Sequence, residues 1–150
     1  MMKTIFDAKC RDELLERLGR FSTDSERQWG TMSPAQAIEH MARALDVATG
    51  REVMKQALIG KLISWMVWKK YIGEGPMPKN LPTFLTLIAT DQPDFEATRA
   101  RLAELITDFH NRGESGAEGK VHGFFGPLTG KQWGETQYKH IDHHLRQFGV

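Results

Sequence analysis

The sequence predicts an all-α, mostly helical fold. Apolar residues recur at spacings of three and four in segment after segment, capping residues stand at the segment starts, and the alternation expected of strands is scarce. At 150 residues, the length fits one domain, 1–150, able to bury a core without disulfides or a structural metal.

Residues 9–20 place Leu14, Leu15 and Leu18 at helical spacing among charges, with Gly19 positioned to stop the helix. Ser33 and Pro34 read as N-cap and first helical residue of a second helix. Its apolar stripe, Ala37, Met41, Ala44, Leu45 and Ala48, ends near Gly50. His40 stands three residues after Ala37 and four before Ala44, which puts a titratable group on the buried stripe.

A third helix is expected over 52–71, followed by a long loop from Gly73 to Pro82, where Gly75, Pro76, Pro78 and Pro82 stop any continuation. Asp91 or Asp94, flanking Pro93, begins the next helix, with Phe95, Leu102, Leu105, Ile106 and Phe109 inward until Asn111 to Gly119 breaks it. The last helix begins at Thr129 as N-cap and runs nearly to the end.

That last helix divides into three stripes. Lys131, Glu135, Lys139, Asp142 and Arg146 recur with alternating sign, as in a solvated stripe of helical ion pairs. Tyr138, Ile141, Leu145 and Phe148 form the apolar stripe. Between them Trp133, Gln137, His140, His144 and Gln147 make a stripe fit to line an interior cavity.

Composition narrows the function classes. A chain 40% apolar and 26% charged, with formal charge +1, has no broad field for a nucleic-acid backbone. Cys10 is the only cysteine, so there is no internal disulfide and no thiolate zinc motif, and a reducing cytoplasm fits best. The N-terminus meets Asp7 before any apolar run develops, unlike a secretory signal. The apolar stretch 62–68 is bracketed by Lys61, Lys69 and Lys70, far short of the ~20 residues that span a bilayer. Trp65 and Trp68 suit a surface anchor, and they suit a bundle or dimer-contact helix equally.

Three of the six histidines lie in the segment Lys139-His140-Ile141-Asp142-His143-His144. At about 100° per residue, His140 and His144 sit roughly 40° apart, so both imidazoles reach one ion from one helix face. His40 on another helix would complete a three-nitrogen site, a common construction in helical bundles. Coordination also satisfies imidazoles that would otherwise be buried without partners. Each ligand needs an outer partner for its second nitrogen, and Gln36, Gln137 and Gln147 stand one turn from His40, His140 and His144. His143 competes as a ligand but lies nearer the charged stripe, so His144 is preferred. Asp142 points about 200° from His140 and reads as surface, paired with Lys139 and Arg146. His110 reads as a charge near a helix C-terminus, and His122 either borders the cavity or is an ordinary loop histidine.

The segments Trp29-Gly30-Thr31-Met32-Ser33-Pro34-Ala35-Gln36 with His40, Phe124-Phe125-Gly126-Pro127-Leu128-Thr129, Gln132-Trp133-Gly134 and Lys139 to Phe148 resemble the DinB/YfiT-like superfamily, in a bacterial branch known only as a domain of unknown function. The resemblance implies an antiparallel four-helix bundle with a long crossover, often dimeric. It also implies a divalent metal on one histidine of the second helix and two of the last, positions matched by His40, His140 and His144. Relatives include thiol-dependent transferases and isomerases, which use low-molecular-weight thiols, and metal-dependent hydrolases. Two departures mark this chain: residues 51–90 add a helix and a Pro-rich loop to the minimal bundle, and Gly123 stands where that branch has proline.

The expected function is therefore a cytoplasmic metalloenzyme holding zinc or nickel with an open coordination position. It would act on a small molecule by thiol transfer or hydrolysis. The competing expectation is a non-catalytic helical binding or dimerisation module with a structural or vestigial metal site.

Overall fold

The computed structural model describes residues 2–72, 75–81 and 87–150, with the backbone alone at 69, 70 and 72. Gly73 and Pro82, the ends of the predicted Pro-rich loop, lie outside them. The fold is mostly helical, with five helices and one minute sheet among these residues: α1 Ala8–Arg20, α2 Pro34–Thr49, α3 Leu58–Ile72, α4 Phe95–Ala117, β1 Val121–His122, β2 Gly126–Pro127 and α5 Gly130–Gln147.

Local chemistry sets most boundaries. Asp7 caps α1 by accepting from the Cys10 amide at 3.0 Å. Gly19 does not end this helix and has no left-handed φ. The helix ends at Phe21, whose backbone turns extended as its buried ring packs against Phe95 and Phe148 at 5.2 and 5.0 Å. Burial of an aromatic ring, not glycine conformation, decides that terminus. α2 and α5 both begin with complete capping boxes, Ser33 with Gln36 and Thr129 with Gln132. Gly50 closes α2 in the left-handed conformation, at φ 75°.

Two other boundaries move from their predicted places. α3 starts at Leu58 rather than 52, because the chain before it bonds elsewhere: the Ala57 amide donates to the Gly123 carbonyl at 2.8 Å, and Gln56 Nε2 to the Phe124 carbonyl at 3.0 Å. Asp94, not Asp91, caps α4. The predicted break at Asn111 to Gly119 contracts to Gly113, at φ 64°, after which helix resumes and buries Ala117.

α1, α2, α4 and α5 share one hydrophobic core, including Leu14, Leu18, Ile38, Met41, Leu45, Leu102, Ile106, Phe109, Ile141 and Leu145. α3 lies beside this core and, among its described side chains, sends Trp68 partly into it. No described helix is long and apolar enough to cross a membrane.

The charged stripe of α5 is the largest correction. Asp142 and Glu135 are buried rather than solvated. Asp142 is held by Arg17 Nη1 of α1 at 2.7 Å and by Arg146 at 2.9 Å, while Arg17 also donates to the Val150 carbonyl at 3.0 Å. Lys139 reaches the Tyr71 and Gly75 carbonyls at 3.0 and 2.9 Å. Packing α1 and the end of the chain over this face covers charges that the isolated helix would expose. His110, one turn before the Gly113 break, bonds the Ile5 carbonyl at 2.9 Å, tying the N-terminal segment to α4.

Candidate metal centre

His40 of α2 and His140 and His144 of α5 meet in the interior, each buried. Their ring centroids lie 4.7 Å (His40–His140), 4.9 Å (His40–His144) and 4.8 Å (His140–His144) apart, each pair edge to face. One nitrogen from each falls within 4.8 Å of the others, so the group could hold one metal ion. Tetrahedral nitrogen ligands stand about 3.3 Å apart. The 2.8 Å His40 Nε2 to His140 Nε2 separation and the 4.8 Å outer limit bracket that spacing.

Hydrogen bonds assign the protons. His40 Nδ1 faces the Leu87 carbonyl at 3.1 Å, and a carbonyl only accepts, so Nδ1 carries the proton and Nε2 keeps a lone pair. Gln147 Nε2 donates to the Trp29 carbonyl at 2.8 Å, which leaves its Oε1 to accept from His144 Nδ1 at 2.8 Å. His144 therefore also keeps its Nε2 lone pair. Gly30, at φ 77°, makes room for that amide: a Cβ there would sit 2.5 Å from Gln147 Nε2. His140 Nδ1 has no hydrogen-bond partner, and neither has Gln137 Oε1, one turn earlier on the same helix. A cation on His140 Nε2 would place its proton on Nδ1, and the unsatisfied Gln137 oxygen is the kind of acceptor that proton needs. The donor set fits a borderline divalent ion.

Burial keeps these rings in the metal-binding form. Desolvation pushes His40 down to about 4, against the opposing pull of the Leu87 carbonyl. His140 and His144 fall well below the ordinary histidine range, first by desolvation and then by neighbouring imidazoles. Neutral imidazole is the ligand form.

The cluster opens onto a cavity of about 650 Å³. Its walls are mostly apolar: Ala44 and Val47 of α2, Ile59, Ile63, Val67 and Tyr71 of α3, with Phe124, Phe125 and Trp133. No carboxylate lines it among the described residues. Trp133 is fully buried and donates from Nε1 to the Lys120 carbonyl at 3.0 Å. His122 borders the cavity between the Phe125 and Trp133 rings, its Nδ1 accepting from the Phe124 and Phe125 amides at 3.1 and 3.2 Å. Burial lowers it to about 4. His143 lies at the cavity edge against Trp29, with ring centroids 5.5 Å apart.

Gln36 is absent from this assembly. Its Oε1 accepts from the Ser33 amide and its Nε2 donates to the Ala89 carbonyl, so the capping box claims the side chain. The Leu87 carbonyl orients His40 instead. Backbone carbonyls carry no sequence signature, so neither Leu87 nor Trp29 was discoverable as a partner from residue types. Gly30 beside Trp29 was the only local hint.

Fold and site together define a helical protein with three buried histidines gathered closely enough to hold a metal ion. The chain belongs to the family described as protein of unknown function (DUF1569), which it matches over residues 4–149. No curated protein and no solved structure matches it.

Proposed function

We propose that this protein is a divalent-metal-dependent enzyme on a DinB-like bundle formed by α1, α2, α4 and α5. His40, His140 and His144 are its ligands for zinc or nickel, and its substrate is a small molecule transformed by thiol transfer or hydrolysis. The observation that carries the reading is the convergence of the three neutral histidines on the wall of a large apolar cavity. Three protein ligands facing a cavity are the pattern of sites that keep a coordination position for substrate, whereas structural sites are closed by four. A divalent ion there would lower the pKa of a bound water or low-molecular-weight thiol and polarise an electrophile.

The chain's own groups have separable roles. The Leu87 carbonyl and Gln147 hold two imidazoles by their outer nitrogens. The aromatic and aliphatic walls exclude water and favour an apolar substrate body. Gln137 Oε1 is the acceptor on hand for the His140 Nδ1 proton when an ion sits on Nε2. The same reading makes residues 1–150 one domain working in a reducing cytoplasm, where Cys10 remains a thiol.

A non-catalytic metal-stabilised binding module is the second reading, favoured by the lack of a carboxylate base among the described cavity residues. Elemental analysis of protein purified without a polyhistidine tag tests the common core. Stoichiometric zinc or nickel is expected in the wild type and none in His140→Ala; no metal in either removes the site. Thiol-transfer and hydrolysis assays on loaded protein then separate the readings: turnover that disappears with metal removal supports the enzyme. Lowered thermal stability with no turnover supports the module.

A further inference from the structure

We propose that the outer face of α3 docks this protein onto an anionic membrane surface. α3 is apolar on two opposite sides. One side, Ile63, Val67 and Tyr71, lines the cavity, and Trp68 and Tyr71 pack on Phe125 with ring centroids 4.9 and 5.1 Å apart. The close seat is visible at Gly60, where a Cβ would collide with the Phe124 carbonyl oxygen. The helix is thus already held on its inner side. The other side carries Leu58, Leu62, Trp65 and Met66 at spacings of four, three and one, between 50% and 78% exposed, with Val53 beside them at 87%. Ile59, 54% exposed, belongs to both faces. Contiguous exposed apolar side chains of this size mark an interaction surface, because a lone soluble domain gains nothing by wetting them.

Charge selects the partner. Arg51 is paired with Asp108 at 2.9 Å, and residues 52–72 after it contain four of the chain's 20 basic residues and one of its 19 acidic ones, so this segment is net +3 while the rest is net −2. Lys55 and Lys61 are exposed beside the apolar stripe, and Lys61 lies three residues after Leu58 and four before Trp65, on the same side of the helix. A second copy seated on this face would bring two such cationic segments together, which like-charge repulsion opposes. Anionic lipid headgroups complement the lysines, Trp65 suits the headgroup level, and Leu58, Leu62 and Met66 suit the acyl boundary. With no described helix able to span, the protein would lie on the bilayer, and cavity and membrane would be separated by one helix.

The proposal is independent of any reaction at the histidines. It is tested by co-sedimentation of the full chain with phosphatidylcholine vesicles with and without about one third phosphatidylglycerol. Binding to the anionic vesicles alone is expected, weakening at least tenfold between roughly 0.05 and 0.5 M salt. Leu62→Glu with Trp65→Glu should abolish it, and Lys55→Gln with Lys61→Gln should weaken it about thirtyfold, both with unchanged helical circular dichroism. No binding to anionic vesicles, or binding that these variants leave intact, overturns the proposal. So does a dimer in analytical ultracentrifugation that Trp65→Glu dissociates, if vesicles are not bound, since the face would then join copies of the chain.

Discussion

α3 and α5 are inverted with respect to what their sequences display. α5 is rich in charged and polar groups, yet Glu135, Gln137, Asp142 and its three histidines are all buried. α3 is the most apolar helix, yet Leu58, Leu62 and Trp65 stand in solvent. The difference teaches that burial in this protein follows the availability of partners. Asp142 and His144 have specific counterparts in Arg17 and Gln147, and the exceptions, His140 Nδ1 and Gln137 Oε1, sit at the candidate metal site, where a bound ion would set the proton that joins them. α3 needs only one side covered to remain in place, and its other apolar side is left for something outside the chain.

Acid should break the α5 side of this comparison first. His122 and His40 are held at about 4 by burial, and His140 and His144 lie lower than their ordinary values, whereas in the unfolded chain all return to about 6.5. Between those values the unfolded state binds more protons. The stability these neutral rings contribute is therefore whole above 6.5 and lost as pH falls from 6.5 to about 4. His122 alone accounts for at most about 3 kcal/mol of that loss. Urea midpoints of metal-free protein measured across this range should fall steadily; a flat profile would contradict buried neutral histidines.

Removing a single partner comes next. Arg17→Ala leaves Asp142 buried with Arg146 as its remaining ion-pair partner, and should cost about 2–3 kcal/mol in chemical denaturation. A loss under about 0.5 kcal/mol would mean that Asp142 is effectively solvated. Gln147→Leu keeps the volume but frees the His144 ring, so metal affinity measured by competition titration should drop about 10–100-fold. An unchanged affinity would detach Gln147 from the site. The smallest effect belongs to α3: Leu62→Glu should shift folding stability by less than about 0.5 kcal/mol in the same urea assay. A large loss would show that this face is packed in solution.

Much of this was legible in the chain, for identifiable reasons. Ser33-Pro34, Gly50, Asp94 and Thr129 act through hydrogen bonds or dihedrals within a few residues of themselves, so α2, α4 and α5 begin or end where local chemistry places them. Helical period alone puts His140 and His144 on one face and His40 on an inward stripe. Gln36 and Gln147 show the limit. Both stand one turn from a histidine, but one is taken by a capping box and the other by the ring, and spacing does not distinguish the two. The 52–57 segment is not helical because the Ala57 amide and the Gln56 side chain bond a turn 66–68 residues away, at Gly123 and Phe124.

The sequence by itself determined the helical segments in outline, the Ser33, Gly50 and Thr129 caps, and the presence of two imidazoles on one side of α5, because all of these depend on periodicity and on neighbours three or four residues apart. Only the tertiary structure decided that His40 arrives within bonding distance of His140, that the Leu87 carbonyl rather than Gln36 orients it, that Asp142 is buried under Arg17, and that α3 turns an apolar face to solvent. These depend on which surfaces meet, and that is settled by the free energy of the whole packed chain, not by any local stretch of it.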